Sequence, residues 1–233
     1  MSRIGRKNDE LRDVRITRDF CPAADGSVLM QIGMTRVICA ASVSGQVPDH
    51  ARERGLGWIT AEYTLLPYST RPRKERRAAR PDGRSVEIQR LIGRSLRSAV
   101  DLSRLQNFLV TLDCDVLQAD GGTRTAAITG GYIAMKIALR RLVESKALPE
   151  DPIVTPVAAV SVGFVNGEIL LDLDYEEDSS AEVDMNVVMD GSMKYVEIQG
   201  AGEGATFNRN QLDGLLFLAG KGVTELMALQ ERL

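Results

Sequence analysis

The stretch at residues 113–126, DCDVLQADGGTRTA, constrains the fold more than any other part of the 233-residue chain. A β-rich run ends at two consecutive glycines, and Thr123 and Arg124 open a run with helical spacing. A strand, a tight turn and a long helix therefore follow one another without a break. The same junction suits an anion. Glycines let backbone N–H groups crowd around an oxyanion, a helix N-terminus supplies unpaired donors with a favourable dipole, and a guanidinium offers a fork matched to phosphate. Gly122, Thr123 and Arg124 are thus candidate phosphate-binding residues, preceded by the acidic Asp113, Asp115 and Asp120.

On either side of this junction the periodicity alternates between 2 and 3.6. Residues 14–20, 27–32 and 36–43 are short β-rich runs separated by turn residues, which predicts an opening meander. Another strand is expected over 58–66, ended by Pro67. Over 85–100, Ile88, Leu91, Ile92, Leu96, Ala99 and Val100 fall on one helical face, with Arg90, Arg94 and Arg97 on a solvated opposite face where Glu87 can pair with them. A strand at 108–117 leads into the glycine turn, and a helix over about 124–144 carries Ile128, Tyr132, Met135, Leu139 and Leu142 at core spacing. The three prolines of 148–156 mark the boundary between two halves, 1–148 and 149–233, of one compact domain. Strands at 157–165 and 168–175 flank Asn166-Gly167, the strongest short hairpin signal. A further pair, 183–189 and 194–199, surrounds Asp190-Gly191, and 211–233 is a closing amphipathic helix. The chain is α+β. No repeat is detectable at the level of residues.

Composition limits the chemistry. At 44% hydrophobic and 26% charged the chain can bury a real core. No apolar run approaches the roughly 20 residues of a membrane span, and the polar start MSRIGRKNDELRD is unlike a secretory signal, so a cytoplasmic protein is expected. Cys21, Cys39 and Cys114 sit singly in apolar, strand-like runs, which reads as small core residues and not as zinc ligands. The single histidine, His50, lies in a loop-like stretch with no nucleophile beside it, so triad chemistry has nothing to stand on. Acid–base work falls to carboxylates, metal-bound water or the substrate.

Charge is distributed unevenly. Within residues 71–84, RPRKERRAARPDGR, seven basic residues face Glu75 and Asp82, a local +5 in a chain of net -3. Six of the seven are arginine, which favours phosphate recognition, and the run reads as a mobile polyanion-binding loop spanning 67–84. Arg84 closes it at a helix entrance, where its side chain can reach an anion drawn to the N-terminus. A second run, DLDYEEDSSAEVDMN, is acidic. Most of its carboxylates read as surface charges, but the Ser-Ser-Ala turn can fold Asp178 and Asp184 towards each other, and Asp184 interrupts an apolar strand, where a carboxylate is costly without a partner. Two convergent carboxylates suit Mg²⁺, and a structural acidic turn is the alternative.

Taken together, LRDVRITRDF, GWITAEYTLLP, GRSVEIQRLIGRSLR, DCDVLQADGGTRTAAITG, EEDSSAEVDMNVVM and EIQGAGEGATF resemble the ribonuclease PH family of bacterial phosphorolytic 3′-exoribonucleases. The resemblance implies duplicated β-α units, like the second domain of a ribosomal protein, with helices packed on mixed sheets. It implies a phosphate site of Arg84, Gly122, Thr123 and Arg124. It also implies catalysis and metal binding by Asp178 and Asp184, and tRNA contacts by Arg73 and Arg76 with Arg71 and Arg77 alongside. The family often has arginine directly after Leu-Pro; this chain has Tyr68 there, and Arg71 can substitute. The implied function is phosphate-dependent trimming of tRNA precursors and other structured RNA, reversible, by a homo-hexamer arranged as a trimer of dimers. Two alternatives stay open from the residues: a non-catalytic RNA-binding ring subunit, and a metal-dependent hydrolytic nuclease.

Overall fold

In the computed structural model, residues 3, 5–76, 83–202 and 205–233 are described. The first sheet has the order β1-β2-β3-β5-β4, built from β1 (Val14–Arg18), β2 (Gly26–Ile32), β3 (Thr35–Ser44), β4 (Trp58–Leu65) and β5 (Leu109–Gln118). Its first three strands form the expected antiparallel meander. The strand pattern alone leaves open that β5 inserts between β3 and β4, antiparallel to one and parallel to the other. Parallel neighbours need a crossover, and α2 (Gly83–Arg97) supplies it. The second sheet is antiparallel in the order β7-β6-β8-β9, from β6 (Val157–Val165), β7 (Glu168–Leu171), β8 (Val183–Asp190) and β9 (Tyr195–Gly202). Asn166 and Gly167 take φ values of 51° and 84° at the β6–β7 turn, the left-handed pair that matches strand twist in a tight hairpin.

Between the sheets runs α3 (Thr123–Glu144), which touches β2, β3 and β5 of the first and β6 and β8 of the second. It is buried from Thr125 to Met135 without interruption, as a helix with no solvent face must be. At Gly130 a Cβ would lie 2.8 Å from Cys39 Sγ and 2.9 Å from Met30 Cβ, so the helix backbone rests directly on the first sheet. The outer face of the second sheet is covered by α5 (Arg209–Glu231), capped by Asn208 with Gln211 in a reciprocal capping box. Layers of sheet, helix, sheet and helix share one continuous apolar core that runs from Met30 and Leu112 through Ile128 to Val160 and Leu226. None of the helices among the described residues is long and apolar enough to cross a membrane.

Several local expectations give way to tertiary structure. The strand expected over 168–175 stops at Leu171; Asp172 takes a positive φ of 55°, and a short α4 (Tyr175–Ser180) follows. The signal was in the sequence: Asp174 and Glu177 form a capping box, the D-x-x-E spacing of a helix start. The Ser-Ser-Ala segment therefore ends a helix and is no simple strand-to-strand turn. Of the three arginines expected on a solvated face of α2, Arg90 is exposed, but Arg94 and Arg97 are half-buried and partnered. Arg94 holds both oxygens of Glu197 on β9 at 2.5 and 2.6 Å, and Arg97 lies 4.6 Å over the Trp58 ring while donating to the Ile59 carbonyl. Glu87 turns away from its own helix, 4.0 Å from Arg124 Nη1. His50 lies in a four-residue helix, α1 (Asp49–Arg52), edge-on to Trp58 and exposed, as a surface histidine should be. Cys39 and Cys114 are buried and directly paired across β3 and β5, whereas Cys21 is only half-buried in a turn outside any strand.

Asp113 and Asp115 alternate with the buried Leu112, Cys114 and Val116 and so stand on the outer face of the first sheet. Burial raises the Asp115 pKa, and the neighbouring Asp113 charge adds to it; burial raises that of Asp113 too. A carboxyl with a raised folded-state pKa favours folding below its unfolded value and loses that advantage as pH rises through the folded value. Asp115→Asn should therefore raise the urea midpoint at pH 7, and the gain should vanish near pH 3, below the unfolded value of about 3.9. Equal gains at both pH values would show that the charge is irrelevant there.

Candidate active site

Where β5 ends, the chain turns through Gly121 and Gly122 at φ 72° and 62°. L side chains rarely adopt such angles, and at Gly121 a Cβ would also sit 2.3 Å from the Leu173 carbonyl oxygen. The turn is thus pressed against the strand end that leads into α4. Gly122 is the N-cap of α3 and carries no side chain to bond the first turn, so that turn keeps its N–H groups for another acceptor. Thr123 is held instead from below. Its hydroxyl shares a 2.8 Å hydrogen bond with the phenol of buried Tyr63 on β4. Burial pushes the Tyr63 pKa up, against the hydrogen bond with Thr123 and the positive charges of Arg84 and Arg124.

A cleft of ≈ 810 Å³ opens over the turn. Arg84, Gly122, Thr123 and Arg124 line it from the first half of the chain, and Asp178 and Asp184 line it from the second. The residues read from sequence as a phosphate site and as an acidic pair therefore meet in one place. Asp178 reaches the cleft from α4. Asp184 comes from β8, on the strand face it shares with Asn186, and Asn186 in turn lies across from Ser161 of β6. Asn186 and Ser161 also line the cleft, both nearly buried, and sequence reasoning missed them. The signal available was the polar residue two positions after Asp184 in an apolar strand. Two carboxylates offer hard oxygen donors to an ion of the Mg²⁺ type, which keeps several waters and needs only one or two protein ligands. No cluster of three or more His, Cys, Asp or Glu that could hold a metal occurs among the described residues.

The basic loop divides. Arg71 and Arg73 line the cleft, Arg76 is exposed outside its lining, and Arg77 lies outside the described residues. Backbone hydrogen bonds hold residues 66–74 in a turn: Lys74 N–H donates to the Pro67 carbonyl, and the buried Ser69 carbonyl accepts from Ala119 at 2.9 Å, tying the turn to the end of β5. Tyr68 lines the cleft as well and is 66% exposed.

Under the glycine turn, on the side away from the cleft lining, lies a charge network that sequence reading took for surface acids. Asp172 is 4% exposed, and its two carboxylate oxygens accept from Arg12 Nε at 3.0 Å and Nη2 at 2.8 Å. Burial works against the Arg12 charge, but the hydrogen bonds and charge of Asp172 outweigh it, so the Arg12 pKa lies above its ordinary value. Glu177 accepts from Arg3 and Arg6.

A layered α+β fold with one cleft between its halves, walled by arginines and carboxylates, is the class of molecule that comparison with known proteins identifies. Residues 10–140 match the model of the 3′ exoribonuclease family, domain 1, and residues 155–222 match domain 2 of the same family. The chain belongs to this family. A ribonuclease PH of Corynebacterium efficiens is 56% identical over 229 residues, 97% of this chain and 94% of that protein. Among solved structures, a chain of the Archaeoglobus fulgidus exosome with RNA bound to the active site superposes with a TM-score of 0.82 at 26% identity, covering 96% of this chain and 90% of that one. An archaeal exosome core chain gives 0.78 at 25% identity over 97% and 90%.

The Gly121 contact yields a direct expectation. Gly121→Ala forces both a left-handed alanine and a clash with the Leu173 backbone, and should cost at least about 2 kcal/mol. The urea midpoint should fall, and activity should fall further than the loss of folded protein explains. An alanine variant with wild-type stability would mean that the turn can relax freely.

Proposed function

We propose that the protein is a phosphate-dependent 3′-to-5′ exoribonuclease that trims the 3′ ends of tRNA precursors and other structured RNA in the cytoplasm, releasing nucleoside diphosphates. One observation carries the reading: two guanidiniums and an uncapped helix N-terminus share a single cleft with two carboxylates. Inorganic phosphate must be drawn up to a phosphodiester against mutual repulsion, and guanidiniums with helix N–H donors in the same cleft offset that repulsion. The 56% identity to a ribonuclease PH over nearly the whole chain supports the same reaction.

In this scheme Arg84, Arg124 and the backbone N–H groups of Gly122 and Thr123 hold the phosphate. One of its oxygens attacks the last phosphorus of the RNA, the bond from that phosphorus to the preceding 3′ oxygen breaks, and the electron pair leaves on that oxygen. The leaving oxygen takes up a proton, which we assign to Asp184. The products are a nucleoside 5′-diphosphate and an RNA one nucleotide shorter. Bonds formed and broken are close in energy, so nucleotides can also be added in reverse. Asp178 and Asp184 would hold a divalent cation of the Mg²⁺ type, which would offset the charge of the two reacting anions. Arg71, Arg73, Arg76 and Arg77 hold the RNA backbone farther out, and Tyr68 offers a base its ring face where related sequences offer a guanidinium. Six copies in a trimer of dimers would let several such loops serve one RNA.

Trimming of a tRNA precursor with and without added phosphate tests the reaction: nucleoside diphosphates should accumulate only with phosphate. Monophosphate products in its absence would replace this reading with hydrolysis. Arg84→Ala and Arg124→Ala should each raise the phosphate KM by the equivalent of about 1.5–3 kcal/mol while RNA affinity holds. Asp184→Asn keeps size and fold, so RNA binding should survive while turnover drops at least about a hundred-fold. Near-normal turnover by that variant returns Asp184 to a structural role.

A further inference from the structure

The N-terminal arm crosses between the two halves of the cleft, and its contacts are selective. The Asn8 carbonyl accepts from Leu171 N–H at 2.8 Å, so the arm lies along the end of β7 in the second sheet before entering β1 of the first. Arg12 sits where these paths meet. Its backbone N–H and its Nε both donate to Asp172 Oδ2, at 2.8 and 3.0 Å, and its Nη2 donates to Oδ1 at 2.8 Å. The rest of the fork points to the first half: Nη1 donates to the Asp120 carbonyl and Nη2 lies 3.4 Å from the Gly121 carbonyl. Arg12 lines no part of the cleft, and its side chain is 8% exposed. Five hydrogen bonds from one residue thus join the glycine turn that leads into the anion wall to the strand end that leads into the acidic wall.

We propose that Arg12, gripped by Asp172, is a positioning residue that sets the spacing between the phosphate-binding turn and the carboxylates across the cleft. The proposal rests on the reading of the cleft as a phosphorolytic site. Two features favour positioning over general stabilisation. First, the hydrogen-bond partners of Arg12 on the turn are the backbone carbonyls of Asp120 and Gly121, with the Asp120 carboxylate 3.8 Å away, and these residues come directly before the N-cap Gly122, so a shift of the guanidinium shifts the donors that face the anion. Second, the same Gly121 carbonyl accepts from the buried Thr35 hydroxyl at 2.7 Å, and the Asp120 N–H donates to that hydroxyl at 3.0 Å. The turn is pinned from two sides. On the other side of Asp172, Arg3 and Arg6 reach Glu177, the residue next to Asp178 on α4, and Arg6 also donates to the Asp172 carbonyl at 2.9 Å. Lysine keeps the charge of Arg12 but cannot grip two carboxylate oxygens and two carbonyls at once.

The experiment compares wild type, Arg12→Lys, Asp172→Asn and Thr35→Val on thermal melting, phosphate KM, kcat for a short single-stranded RNA, and phosphate affinity by ³¹P line broadening. Misplacement by a fraction of an ångström should raise the phosphate KM and weaken phosphate binding between about ten- and a hundred-fold in Arg12→Lys, with a kcat loss beside it and RNA affinity unchanged. Asp172→Asn should do the same, and a double variant carrying both Arg12→Lys and Asp172→Asn should be no worse than the worse single one. Thr35→Val, which removes one hydroxyl without touching charge, should move the same parameters less and covers the case in which the charge variants fail to fold. A purely structural role lowers the melting temperature and the active fraction but leaves KM and phosphate affinity at wild-type values. That result in any folded Arg12→Lys or Thr35→Val preparation overturns the proposal. Wild-type protein that trims RNA with phosphate while the variants keep its KM would sink this inference alone; wild-type protein that neither binds phosphate nor needs it would remove the functional reading beneath it.

Discussion

The burial of α3 between two sheets is the constraint on which the remaining architecture depends. A helix with no solvent face has only its ends to offer to chemistry, and here the N-terminal end opens on the cleft. Because Ala126 to Met135 are locked into the core by contacts on both sides, the first turn cannot drift, and the donors of Gly122 and Thr123 inherit the rigidity of the core. Gly130 shows how tight the fit is: there is no room for a methyl group between helix and strand. A helix start held in this way is preorganised by packing, and fixed dipoles of that kind can meet a charge without reorganising.

Charge follows the same division between fixed and adaptable. The buried carboxylate Asp172 is answered by Arg12 and Arg6, as a charge removed from water must be. The charged groups that line the cleft are less enclosed than Asp172. Arg84 is exposed, the nearest acid to Arg124 among the described ion pairs is Glu87 at 4.0 Å, and Asp184 is only half-buried. Groups of opposite sign line one cavity, an arrangement that suits a ligand able to bridge them.

Much of this was legible in the sequence because it is local. The strand, glycine turn and helix of residues 113–126, the Asn166-Gly167 hairpin and the closing helix each carry their own signal within a dozen residues. Arg84, Arg124, Asp178 and Asp184 could be singled out by position in a motif, and the fold brings them to one cleft. What stayed hidden depends on distant partners. Arg94 reads as a solvated arginine until Glu197 arrives from more than a hundred residues away, and Asp172 reads as one surface acid among seven until Arg12 reaches it from the N-terminal arm. The insertion of β5 between β3 and β4 is equally silent, since each strand's own pattern fits several neighbours. The short α4 is a different case: its capping box was visible and was outweighed by the apolar run before it.

The cleft's two walls come from different halves of the chain, and this has a consequence for how the site can evolve and fail. A mutation in the core of either half leaves its own wall intact as a local structure, yet it can alter the distance between walls by tenths of an ångström. Anion pairs brought together for phosphoryl transfer are sensitive to such a change, because the electrostatic offset and the line of attack both depend on it. Interior packing gives the site its rigidity, but packing alone is tolerant of apolar exchange. A hydrogen-bonded charge pair is directional and defines a separation more sharply than a contact between aliphatic side chains. The structure places such pairs where the halves meet, Arg12 with Asp172 beneath the glycine turn and Arg94 with Glu197 between α2 and β9, and leaves the apolar core to hold the layers together.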